Sequence, residues 1–118
     1  MREIIFRAKT VCDGDWVYGG ITWNPSKKKV FIHTEWDEGE VIPETVGQFT
    51  GLTDKNGLTK IFEGDILKGL YANGNAEVEM INGSWVGYAG KGWTDIGYVV
   101  DRVEVIGNIR DNPELLNK

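Results

Sequence analysis

The 118-residue chain is short of the residues on which catalysis and covalent cross-linking most often rest: it has one cysteine and one histidine. A single thiol, Cys12, excludes an intramolecular disulfide and suits a reducing cytoplasm, where we expect the protein to reside. Cys12 has no CxxC neighbour, and His33 has no Ser or Cys nucleophile nearby in sequence, so neither supports nucleophilic catalysis. No apolar run approaches the ~18 residues of a membrane span. The opening MREIIFRAKTV is broken by Arg2, Glu3 and Arg7 and is not read as a secretory signal. Sustained helical periodicity is missing, which removes the crossover helices that parallel strands need. Positive charge is in deficit: 13 Lys and Arg stand against 18 Asp and Glu, for a net charge of −5. Such a chain repels a phosphate backbone on average, which disfavours nonspecific nucleic-acid binding.

What is present is turn chemistry between short β-prone runs. The 16 glycines are about twice the usual ~7% share. Strands are expected over Glu3–Ala8 (Ile4, Phe6 and Ala8 on one face), Trp16–Tyr18 with a resumption at Ile21–Trp23, and Val30–Thr34. Asp13-Gly14-Asp15 and Asn24-Pro25-Ser26 read as turns, with Lys27, Lys28 and Lys29 on a hairpin loop, and Glu35–Glu40 as an exposed acidic loop. Pro43 opens one helical turn that Gly47 ends. Asp54-Lys55-Asn56-Gly57 reverses the chain. Further strands are expected at Ile61-Phe62, Ile66-Leu67, Ala76–Met80 (Ala76, Val78 and Met80 inward), Ser84–Tyr88, Gly97–Val100 and Val103–Ile106. Asn82-Gly83 is the clearest hairpin turn, and Asn112-Pro113-Glu114 caps a short C-terminal helical turn. The fold class is therefore all-β, an antiparallel barrel or sandwich.

The stretch PETVGQFTGLTDKNGLTKIFEGDIL, Pro43 to Leu67, goes further. With Met1-Arg2-Glu3-Ile4 and Phe6-Arg7-Ala8 at the start, and Val105-Ile106-Gly107-Asn108-Ile109 and Asn112-Pro113-Glu114-Leu115-Leu116 at the end, it resembles the YopX family, small proteins of phages and prophages. Lys9 departs from that pattern where an aromatic is expected, as do Leu58-Thr59 where polar residues are expected; Tyr71–Asp101 offers no motif likeness. The resemblance implies an N-terminal β half joined to a C-terminal SH3-like barrel, and no particular activity. On this basis the chain divides into residues 1–42, a turn-rich connector 43–60, and the SH3-like barrel 61–118, which its length also allows to form one compact domain.

Other patterns fail on inspection. If Gly57 is placed sixth in a calcium loop, Asp54, Asn56 and Glu63 fall third, fifth and twelfth, but Leu52 stands first without a ligand oxygen. Asp13 and Asp15 flank a turn glycine and read as hairpin chemistry before metal ligation. Gly90-Lys91 lacks the following Ser or Thr of a phosphate loop. No catalytic residue, metal or cofactor is expected. Five tryptophans remain as a surplus. Trp36 in the acidic loop and Trp93 in a glycine-rich loop are expected to be exposed, with Lys91 beside the latter; Trp85 is expected in the core. The reading is a non-catalytic module that binds a phage or host protein or a second copy of itself through Trp36, Trp93 and Lys91. The alternative is an accessory protein that stacks its exposed aromatics on single-stranded nucleic acid.

Overall fold

The computed structural model describes residues 5–34, 37–71, 74–90 and 92–116. The helical content of these residues is three 3-10 turns. The chain forms two compact units, Met1–Phe49 and Thr50–Lys118.

The first unit carries β1 (Phe6–Lys9), β2 (Trp16–Asn24), β3 (Lys29–His33), β4 (Glu38–Val41), a 3-10 turn at Pro43–Thr45, and the start of β5 (Gly47–Thr53). Its strands lie in the order β4-β3-β2-β1-β5. Ala8, Val30, Ile32 and Val41 form its core, with Phe6, Val17 and Val46 against them. The sheet curls enough for the end of β1 to meet β4: Val11 N–H donates to the Glu40 carbonyl at 3.0 Å, and Ile42 N–H to that of Lys9 at 2.8 Å. Two glycines make this curl possible. β2 pairs with β1 up to Gly19 and with β3 from Gly20 onward. A Cβ on Gly19 would collide with the His33 carbonyl, so only glycine lets the strands approach so closely at the change of partner. The glycines expected to weaken β2 instead let one nine-residue strand bend and continue.

The acidic stretch departs from the expected loop. Glu38–Val41 is strand, because Glu-Gly-Glu-Val alternates. Gly39 and Val41 stand opposite Ile32 and Val30, while Glu38 and Glu40 face the other way, opposite His33 and Phe31. Along the outward row Lys29 forms an ion pair with Glu40 at 3.8 Å, and His33 Nε2 lies 3.7 Å from the Glu38 carboxylate. Pro43 opens its turn as expected; extended Val46, before Gly47, ends it.

The second unit takes β5 onward from Thr50. β6 (Lys60–Phe62) lies beside β5, where the Thr50 hydroxyl donates to the Ile61 carbonyl at 2.8 Å. β7 (Asp65–Lys68), β8 (Ala76–Ile81), β9 (Ser84–Tyr88), β10 (Trp93–Asp95) and β11 (Glu104–Asn108) form a sheet in the order β10-β9-β8-β7-β11. The strand pairings β1–β2, β1–β5, β2–β3, β3–β4, β7–β8, β7–β11, β8–β9 and β9–β10 are all antiparallel. Its core gathers Ile61, Leu67, Leu70, Ala76, Val78, Ile96, Val99 and Val103. Burying each of these contributes roughly 1–3 kcal/mol against an exposed reference.

Two buried carboxylates tie the Pro43–Leu67 stretch to this sheet. Asp54, 4% exposed, accepts from Asn56 N–H at 3.1 Å and from Val105 N–H of β11 at 3.2 Å. Asp65 accepts from Phe62 N–H at 2.7 Å across the turn that enters β7. The Gly64 carbonyl between them accepts from Ile109 N–H at 2.9 Å.

Three further expectations are corrected. Residues 97–100 are not strand: the Asp95 side chain accepts from Gly97 N–H at 2.9 Å and caps a 3-10 turn, Ile96–Tyr98. Met80 is exposed, one pair from the Asn82-Gly83 turn, although Trp85 opposite it packs against the core. The last strand runs to Asn108, with a bulge between Val105 and Gly107. The first strand is seen from Phe6; Met1–Ile4 lie outside the described residues.

Candidate functional site

The site grows from the Asn82-Gly83 turn. Both residues take left-handed conformations, φ 51° and 82°, as a two-residue hairpin requires. That turn sets the register outward along β8 and β9: Ile81 opposite Ser84, Glu79 opposite Val86, Glu77 opposite Tyr88. β10 then sets Trp93 opposite Tyr88. Because side chains alternate, Ala76 and Val78 turn to the core while Glu77, Tyr88 and Trp93 share one row on the other face. Directly opposed side chains in such a row start about 5 Å apart.

The C-terminal 3-10 turn, Pro113–Leu116, comes to this face, where the Asn75 amide donates to the Leu115 carbonyl at 2.9 Å. A cleft of about 320 Å³ is left, lined by Gly74, Asn75, Glu77, Tyr88, Ala89, Gly90 and Leu116. The Tyr88 hydroxyl donates to the Gly90 carbonyl at 2.8 Å, which holds its ring in place. Burial pushes the half-buried Glu77 carboxyl above the usual carboxylate range; Glu79 and Glu63 push the same way and Arg110 opposes them. The arrangement offers a carboxylate, two aromatic rings and an outermost strand.

Of the residues nominated for partner binding, Trp93 is 50% exposed and begins β10, where a loop was expected. Trp36 and Lys91 lie outside the described residues. Trp85 packs against the core of its unit. Three exposed aromatics were not singled out: Trp23 at 56%, Tyr18 and Tyr98. Trp23 is opposite Val30, one pair from the turn that closes the β2–β3 hairpin, where strand periodicity alone assigns it inward. The row of Glu77 and Tyr88 was legible, since counting outward from Asn82-Gly83 pairs them. Trp16 is covered by cations, Arg7 at 4.7 Å and Lys9 at 5.4 Å from its ring centre.

The other candidates take structural roles. Asp13 organises its turn; bonds donated by the Thr10 hydroxyl and then by Asp15 N–H hold its carboxyl below the usual range. Cys12, in the same turn, is exposed. His33 Nε2 contacts the Thr22 hydroxyl. Among the described residues no group of three or more His, Cys, Asp or Glu is placed to hold a metal ion, and none of their helices is long and apolar enough to cross a membrane.

The model of the family described as YopX protein matches residues 6–117, nearly the whole chain. The chain belongs to the YopX family. The match includes residues 71–101, where single motifs offered no likeness, and so takes in the β8–β10 face. No curated protein matches the chain.

Proposed function

We propose that this YopX-family chain is a non-catalytic protein-binding module that takes its partner on the β8–β10 face. The observation that carries this reading is Trp93, half exposed on the strand that ends the sheet order and in one row with Tyr88. An outermost strand offers backbone donors and acceptors to an added strand, and tryptophan and tyrosine are the usual energetic anchors of interfaces. The order β10-β9-β8-β7-β11, with a 3-10 turn between β10 and β11, supports an SH3-like architecture for the second unit. The family resemblance supports a phage or prophage origin, and the lone exposed thiol Cys12 supports the cytoplasm of a bacterial host.

The test is affinity capture of the full chain from induced or infected host cells, with Trp93→Ala and Trp23→Ala beside it. A specific prey retained by Trp23→Ala and lost by Trp93→Ala is expected, with circular dichroism confirming that both variants fold. Equal recovery by all three would refute the assignment of the face. Recovery of the chain alone, with concentration-dependent sedimentation lost in Trp93→Ala, would identify the partner as a second copy. Salt-dependent quenching of tryptophan fluorescence by an oligonucleotide would favour single-stranded nucleic acid instead.

A further inference from the structure

We infer that the cleft beside Trp93 receives a cationic side chain, arginine before lysine, from the partner's bound segment. This rests on the reading of the β8–β10 face as the partner surface and names the chemistry that the partner brings. The cleft, at about 320 Å³, is at the small end of ligand pockets and suits one long side chain. Glu77 is the one charged group among the described residues that line it. Among the described residues, the charges that bear on Glu77 are Glu79 and Glu63, of its own sign, and Arg110, which opposes them. The local field therefore favours a cation.

The walls select among cations. Tyr88 stands directly opposite Glu77, and Trp93 directly opposite Tyr88. An ion bound by the carboxylate has the Tyr88 ring of the cleft lining as its neighbour, with Trp93 next in the row, and aromatic rings attract positive charge. Guanidinium fits best: it is planar, donates two parallel bonds to one carboxylate, and stacks on a ring at the same time. An acidic side chain would be repelled, and an apolar one would strip water from Glu77 without replacing its hydrogen bonds.

The test uses the full chain and three end-blocked, fluorescently labelled seven-residue peptides. They differ only at the central residue: arginine, its neutral isostere citrulline, or norleucine. Anisotropy at low salt should show the arginine peptide binding at least about tenfold tighter than the other two, as one charged hydrogen-bonded pair provides. Glu77→Gln should remove that preference, while Glu79→Gln should keep most of it. No binding of the arginine peptide, equal binding of all three, or an arginine preference that survives Glu77→Gln would overturn the inference. Trp93→Ala separates the two levels. If it leaves peptide binding intact, the face itself is wrongly assigned; if it weakens all three peptides while Glu77→Gln changes nothing, only the cation is wrong.

Discussion

Asp54→Ala should destabilise the second unit without touching its apolar core. Asp54 is 4% exposed and each of its carboxylate oxygens accepts one backbone N–H, from Asn56 at 3.1 Å and from Val105 at 3.2 Å. A hydrogen bond to a charged acceptor is worth about 1.5–3 kcal/mol net, and an orphaned part-buried donor costs about 1–3 kcal/mol. The distances are at the long end, and Asn56 is in an exposed turn where water can replace the lost oxygen. Val105, within β11, is less well served. Its loss dominates, and the sum is about 2–4 kcal/mol. For a domain of this size each kcal/mol lowers Tm by about 4–8 °C, so a fall of roughly 10–30 °C is expected. Asp54→Asn keeps one acceptor oxygen and should fall about half as far. Thermal circular dichroism reads both, and amide exchange should quicken at Val105 first. Calcium should leave the wild-type Tm unchanged, since Asp54 is buried on backbone donors and Leu52 offers no side-chain oxygen at the loop's first position. A change below about 3 °C in the alanine variant, or a rise in Tm with calcium, would refute this account of the turn.

Three other outcomes follow from the same structure. Gly19→Ala should cost about 1–3 kcal/mol through its collision with the His33 carbonyl, whereas Gly20→Ala, whose new Cβ meets nothing within 4 Å, should cost far less; chemical denaturation of the pair compares them. Glu77→Gln should stabilise the protein at neutral pH. The folded chain holds the Glu77 proton more tightly than the unfolded chain, so its contribution favours folding at acid pH and is lost as pH rises through the raised value. The gain from glutamine should therefore shrink as pH falls through that window, and a difference in Tm that is constant with pH would contradict it. Cys12 should alkylate rapidly with iodoacetamide in the native state, as mass spectrometry can show, because it is exposed in its turn; protection until denaturation would refute that placement.

The turns were the legible part of the fold because each rests on local chemistry. Asn82-Gly83 needs positive φ at both positions and Asp54 bonds its own downstream backbone, so neighbours a few residues away decide the outcome. Strand boundaries were less legible where one signal masked another. Charge density at Glu38 and Glu40 hid an alternation whose inward members are Gly39 and Val41. The β-branched Val99 and Val100 suggested a strand, yet Asp95 caps the preceding turn and Val99 reaches the core from irregular backbone. Trp23 and Met80 lie on inward rows yet stay exposed one pair from their turns, although Val30 and Trp85 opposite them belong to or pack on the cores; periodicity gives the face of a side chain and not how far it is covered.

The same distinction explains why family membership carries less about activity than about fold. The most recognisable residues, from Pro43 to Leu67, are occupied with anchoring: Asp54 holds β11, Asp65 holds the entry to β7, and the Gly64 carbonyl holds Ile109. Asp54 and Asp65 are buried on backbone donors of their own chain and so are out of a partner's reach. The groups that do face solvent in one row, Glu77, Tyr88 and Trp93, lie where the sequence offers no diagnostic motif, and they are brought together by register alone. A fold can therefore retain its anchors while the chemistry presented on β8–β10 changes. Substituting Glu77 and Trp93 should then alter which segment binds while leaving the Asp54 and Asp65 anchors in place, the unfolding transition moving only by the pH-dependent gain expected from the loss of the Glu77 charge.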